Sequence, residues 1–173
     1  IFAPNVVLLT KSINFGLPFN SNPAVFHTRT SYNTDLPYTT FSRGITARTD
    51  SPNTTDMGVA FSRSLEGSSS DTVNDELSWM AVEELTGNYS NILYEFAVSS
   101  DSIEGIDDSP PDTESYTQSF SLAPQITMSS MVRMDGSDGG FAITYGSPTN
   151  TEHPMTIHEH TTGNSGHTTE PVA

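Results

Sequence analysis

The chain has 173 residues, no cysteine, 21 acidic against 6 basic side chains and a formal net charge of −15. Because phosphate binding needs clustered Lys and Arg, and the sequence has no basic patch, nucleic acid and anionic membrane surfaces are poor partners. No apolar run approaches the ~18–20 residues of a membrane span, and no disulfide can contribute to stability.

The residue pattern predicts strands from end to end. Short segments rich in β-branched and aromatic residues, bounded by Gly, Pro, Asn and Ser, follow one another with alternating or continuous apolar character. In chain order they are "NVVLLTKSI" (5–13), "PAVFHTRTSY" (23–32), "MGVAFSRSL" (57–65), "LSWMAVEE" (77–84) and "NILYEFAVSS" (91–100). "PQITMSSMVRM" (124–134), "GFAITYG" (140–146) and "MTIHEHTT" (155–162) complete the set. "MAVEELTGN" has the composition of a helical turn, but the run from Ser78 to Val82 fits a buried strand better. The fold class is all-β. A hydrophobic fraction of 34% suits thin sheets rather than one thick core.

Comparison of the two halves predicts an internal repeat. "FNSNPAVFHTRTSYNTD" (19–35) lies over "FSLAPQITMSSMVRMDGSD" (120–138), sharing a Phe-x-x-x-Pro entry at Phe19/Pro23 and Phe120/Pro124. "MGVAFSRSL" lies over "MTIHEHTT", "DELS" (75–78) over "EPVA" (170–173), and "NVVLLTKSI" over "NILYEFAVSSDSI". The expected organisation is an N-terminal strand segment (1–13), a first β-sandwich repeat (14–98), an acidic exposed linker (99–115) and a second repeat (116–173). The second repeat is incomplete. "EPVA" reaches the position of "DELS" and stops where "WMAVE" follows in the first copy. "IFAPN", from the start of the chain, continues "EPVA" with apolar residues and an Ala in register. The expectation is therefore two tandem small antiparallel β-sandwich domains, the second completed by a strand from a neighbouring subunit. At least residues 1–4 are donated. A sequence opening on "IFAPN" also fits one slice of a longer tandem array.

The Phe-x-x-x-Pro entries, the "MDGSDGG" turn (134–140) and the "HTTEPVA" and "DELSWMA" strand entries resemble H-type lectin-like sandwich repeats of extracellular proteins. The resemblance covers most of both copies on short motifs. It implies a small antiparallel β-sandwich, secreted, often in tandem and sometimes carbohydrate-binding. The first copy has "TVNDE" where the second has "HTTE", so no sugar-binding residue carries over.

Chemistry-bearing patterns are sparse. No nucleophile motif, phosphate loop or HExxH is present, and no spacing selects a Ser-His-Asp set, so the chain is not expected to be an enzyme. His158 and His160, at i and i+2, share a strand face, and His167 follows after a short turn near Glu170. Imidazole and carboxylate suit zinc, but a solvated strand face is the simpler reading. Asp135 and Asp138 in "MDGSDGG" present hard oxygens beside glycines, which makes calcium the one candidate cofactor. "FAIT" follows without further acidic ligands, as in a plain hairpin turn. Asp101, Glu104, Asp107 and Asp108 form a second loose acidic cluster. Two N-glycosylation sequons, at Asn53 and Asn88, fall between predicted strands and name covalent glycans as candidate partners.

These features favour a structural subunit of an extracellular or cell-surface filament, its partners identical subunits in a head-to-tail polymer. Ile1, Phe2, Ala3, Val6, Val7, Leu8 and Leu9 then meet Glu170, Val172 and Ala173 of the next copy. The alternative is a secreted lectin-like carbohydrate-binding module, with Tyr32, Tyr38 and Trp79 as aromatic candidates.

Overall fold

A computed structural model describes residues 9–29, 38–43, 52–63, 76–108, 110–133, 140–159 and 169–173. They form the strands β1 (Leu9–Asn14), β2 (Pro23–Arg29), β3 (Tyr38–Arg43), β4 (Asp56–Arg63), β5 (Leu77–Glu83) and β6 (Leu85–Tyr89). β7 (Ile92–Phe96), β8 (Asp112–Ser115), β9 (Gly140–Thr144) and β10 (Glu152–Glu159) follow. No helix occurs among the described residues. The strands pair antiparallel into two three-stranded sheets, β1-β4-β3 and β8-β10-β9, and two ribbons, β2-β5 and β6-β7.

The two three-stranded sheets repeat one another in detail. Each has its long strand, β4 or β10, between the strand preceding it and a strand that runs into the Phe-x-x-x-Pro entry. Asn14 pairs with Asp56 as Ser115 pairs with Glu152. Just beyond, Phe15 meets Phe19 edge-on at 5.0 Å, and Tyr116 meets Phe120 edge-on at 4.9 Å. The backbone amides of Phe15 and Phe19 donate to the carbonyls of Thr55 and Thr54, and those of Tyr116 and Phe120 to Thr151 and Asn150.

The loop entering the long strand repeats as well. Asn53 Oδ1 accepts the amides of Thr55 and Asp56 at 2.8 and 2.9 Å, and Thr149 Oγ1 accepts those of Thr151 and Glu152 at 3.2 and 3.0 Å. Short polar side chains bond their own backbone in this way at turns. The sequence carries the same signal, "SPNTTD" (51–56) against "SPTNTE" (147–152).

This loop corrects the expected alignment. Asp56 corresponds to Glu152, so Met57 stands with His153 and Val59 with Met155, two residues away from the superposition of "MGVAFSRSL" on "MTIHEHTT". A strand's side-chain period is two, so such a slip leaves every inward residue inward and the apolar pattern unchanged. The expected lead-in is corrected too. β8 takes the place of β1, while Ile92–Phe96 pairs with β6 instead.

The segment read as an exposed acidic linker, 99–115, is exposed over much of its length but packs in part. Ile103 is buried, Glu104 and Ile106 exchange backbone hydrogen bonds with Ile157, and Asp112–Ser115 is β8. A composition that is polar on average conceals one buried Ile.

Three clusters hold the chain together. Val25 and Met57 pack with Ile13, Phe15, Leu77 and Ala81, seating the β2-β5 ribbon on the β1-β4-β3 sheet. Ile103, Met131, Met155, Ile157 and Val172 form the corresponding cluster of the second half, with Ala142 against it. Ala24, Phe26, Val132 and Ala173, with Phe96 and Val98, join the two halves. Val25 faces one cluster and its neighbours Ala24 and Phe26 the other, so β2 is buried on both sides. That double burial is why "AVF" is continuously apolar rather than alternating.

Candidate assembly edge

The C-terminal residues lie between two other segments and bridge to both. Ala173 and Ser130 exchange both backbone hydrogen bonds, at 2.8 and 2.9 Å, and the Val132 amide donates to Pro171 at 3.1 Å. On the opposite side the Glu170 amide donates to Ile103 and the Ser99 amide to Val172, at 3.0 and 2.8 Å. Glu170, Val172 and Ala173, expected at the assembly joint, are thus buried within their own chain. Leu9 pairs with Phe61 in β1, also within the chain. Ile1, Phe2, Ala3, Val6, Val7 and Leu8 lie outside the described residues.

In the expected alignment Ala173 stands with Ser78, which pairs with Thr28 in the first half, and there the pairing continues. Beyond Ser78, residues Trp79 to Glu83 cover His27 back to Pro23 without a break. Over its described residues, 124–133, the predicted strand 124–134 is not formed, apart from the bridge at Met131. Among the described residues no backbone group hydrogen-bonds to the backbone of residues 124–129.

The side chains report the same difference. Ala24 and Phe26 are 0% and 7% exposed, whereas Ile126 and Met128 on the corresponding stretch are 83% and 57% exposed, with Leu122 also open. Thr127 turns the other way, its hydroxyl 3.2 Å from that of Thr144 on β9. The Ser129 hydroxyl oxygen is buried without a hydrogen-bond partner. Residues 124–129 thus expose two apolar side chains, and their backbone is unpaired among the described residues, as at an edge open to another strand.

The remaining expected sites are scattered. His158 is exposed and stacks on Phe141 at 5.1 Å. Asp135, Asp138, His160 and His167 lie outside the described residues. Asp101 pairs with Arg133 rather than joining an acidic site. No group of three or more His, Asp or Glu suited to a metal lies among the described residues. Asn53 and Asn88 are both exposed. The Asn53 amide nitrogen is held by Asp56 at 2.7 Å, while Asn88 sits beside a hairpin turn where Ser90 and Asn91 have φ of 50° and 68°. Of the aromatic candidates, Trp79 leans on Phe15 at 5.9 Å, Tyr38 begins β3, and Tyr32 lies outside the described residues.

Sequence reasoning passed over two histidines that fasten the structure. His27 places Nε2 3.1 Å from the Met131 carbonyl, which makes that nitrogen the protonated one and ties β2 to the second half. Its pKa is lowered by burial, partly offset by this hydrogen bond. His153, 2.8 Å from the Thr144 hydroxyl, is lowered by burial as well. Both begin to take up protons in the unfolded chain near the ordinary 6.5, before they do in the folded one. Their contribution to stability is therefore complete above about pH 6.5 and is lost as pH falls below it toward the lowered folded values. Urea midpoints at pH 7.5 and 5.5 are expected to differ less for a His27→Gln/His153→Gln variant than for the natural chain.

No protein-family model, curated protein or solved structure matches the chain.

Proposed function

We propose that the chain is a structural subunit of an extracellular filament, built of two tandem small antiparallel β-sandwich units and assembled head-to-tail by strand complementation. One observation carries this reading: residues 124–129 are unpaired and apolar where their counterpart β2 is fully covered by β5. A strand from another copy would satisfy the free backbone groups and fill the edge with alternating side chains. Donor and acceptor are different segments of the chain, so the contact is heterologous and propagates into an open polymer unless its rotation closes. The exposed sequons at Asn53 and Asn88 support an extracellular setting, with glycans on the outside of the fibre. A structural role calls for no catalytic residue, and none is assigned.

Electron microscopy of the purified chain tests the reading, and uniform filaments are the expected result. Because Leu9–Asn14 belongs to β1, the informative truncation removes residues 1–4 only. The truncated chain should keep its β-type circular dichroism and remain monomeric. Filaments from the truncated chain would exclude donation by these residues.

A further inference from the structure

We infer that Asn88 is an N-glycosylation site and that the sugar attached there lies over Leu93, on the outward face of the β6-β7 ribbon. The inference rests on the extracellular setting of the proposed function and gives the sugar its residue and its seat.

The ribbon has two unlike faces, because successive side chains of a strand point to opposite sides. Leu85, Gly87, Tyr94 and Phe96 share one of them. Phe96 packs against the central cluster, and the Tyr94 ring covers Gly87 so closely that a Cβ there would collide with it. Asn88 and Leu93 pair directly across the other face, with Thr86 beside them. The turn has two residues, Ser90 and Asn91, both at positive φ. Tyr89–Ile92 is then the hydrogen-bonded pair next to the turn, and Asn88–Leu93 a non-hydrogen-bonded one, in which side chains stand closest together. Thr86 and Asn88 are exposed, and Leu93 is 39% exposed.

The two sequons differ in what their carboxamides already do. Asn53 Oδ1 accepts the Thr55 amide, the Asp56 amide and the Thr55 hydroxyl, and its Nδ2 donates to Asp56 at 2.7 Å. Asn53 thus closes the loop into β4 and uses the hydroxyl of its own sequon in doing so. Asn88 Oδ1 accepts the Asn91 amide at 3.1 Å, which orients the carboxamide. Among the described residues, Asn88 Nδ2 and the Ser90 hydroxyl that completes the sequon have no hydrogen-bond partner.

Glycosylation joins Nδ2 to the anomeric carbon of a sugar and breaks that carbon's bond to the diphosphate of a lipid-linked oligosaccharide donor. The diphosphate leaves with the bonding electron pair, and Nδ2 gives up one proton and keeps the other. The hydrogen bond from Asn91 to Oδ1 survives the reaction, so the first sugar is held at a fixed place on the ribbon. A sugar ring presents C–H groups as well as hydroxyls, and beside Leu93 it removes apolar surface from water. The sequon stands directly opposite the apolar side chain of this face, which is why a sugar, rather than a second chain, is its cover.

Ser90→Asn removes the sequon and suits the left-handed backbone at that position, where φ is 50°. The natural chain and this variant, each secreted from a glycosylating eukaryotic host, are compared by peptide mass spectrometry and hydrogen exchange. Asn88 of the natural chain should carry sugar and read as aspartate after enzymatic release, whereas in the variant it should carry none. With the sugar in place, amides of residues 87–94 should exchange more slowly than in the variant, by roughly threefold or more. The same two chains from a host that does not glycosylate should differ by less, which separates the sugar from the substitution. A natural chain with bare Asn88, whether or not Asn53 is modified, would overturn the inference. Sugar on Asn88 without slower exchange would overturn its seat over Leu93. Filaments are read separately by electron microscopy. Their absence would remove the polymer and leave a modified Asn88 standing, and a bare Asn88 in a chain that forms filaments would remove the inference alone.

Discussion

Replacing Phe26 by alanine is expected to destabilise the folded chain by about 3–5 kcal/mol, the range for removing a buried aromatic ring. Phe26 is 7% exposed and sits with Ala24, Val132 and Ala173, its ring edge-on to Phe96 at 6.0 Å. The cavity would open between the halves, where backbone from β2, β7 and the C-terminal strand meets and cannot easily collapse. In thermal denaturation each kcal/mol corresponds to roughly 2–4 °C for a chain of this size. The distinguishing result is in hydrogen exchange. Amides of Val172, Ala173 and residues 130–132 should lose protection together with those of β2. A loss confined to β2 would show that the central cluster does not couple the halves.

Ile157→Ala should cost about 2–5 kcal/mol and act elsewhere. Ile157 is fully buried among Ile103, Met131, Met155 and Val172, in the middle of β10. Its backbone also bonds to Glu104 and Ile106, so the side chain fixes the 99–108 segment against the sheet. Exchange protection should fall over β8, β9 and β10 and over residues 103–106, while the β1-β4-β3 sheet keeps most of its own. The two variants should be additive within a few tenths of a kcal/mol if the clusters are independent. Strong coupling between them would mean that the second cluster reaches through Met131, Val132 and the C-terminal strand into the central one.

The Ile157 result bears on assembly as well. Val172 and Met131 pair beside the unpaired edge, so loosening their cluster loosens the frame that presents residues 124–129. An Ile157→Ala chain should therefore assemble less well than its stability alone suggests. Phe26→Ala, whose cavity lies against Val132 and Ala173, disturbs the same frame from the other side.

Local pattern was sufficient for much of the fold. β-branched and aromatic runs located β1, β2, β4, β5, β7, β9 and β10 to within a few residues, because a half-buried strand writes its burial into every second position. The Phe-x-x-x-Pro entries pointed to a repeat, and the edge-on ring pairs at Phe15–Phe19 and Tyr116–Phe120 precede them in both halves. β3, β6 and β8 went unread. "LTGNY" and "DTES" are too short and polar to stand out, and their strand character comes from the partners that pair with them.

The candidate site was legible only in outline. Comparison of "EPVA" with "DELSWMAVE" directed attention to Glu170, Val172 and Ala173, which are buried within the chain. The open surface lies across from them, at Ile126 and Met128. Read in sequence, "PQITMSS" looks like any other strand. Nothing in its composition says that its partner is absent, because pairing is a property of two segments and a pattern belongs to one.

What the sequence by itself determined is therefore the period of most segments and the all-β class, since both are written in local composition. Tertiary structure alone decided the registers of β4 and β10 with their partners, the burial of Ile103 in an acidic stretch, and which backbone is unpaired among the described residues. Those depend on contacts between residues far apart in the chain, where a slip of two positions leaves the apolar pattern unchanged but changes which groups meet.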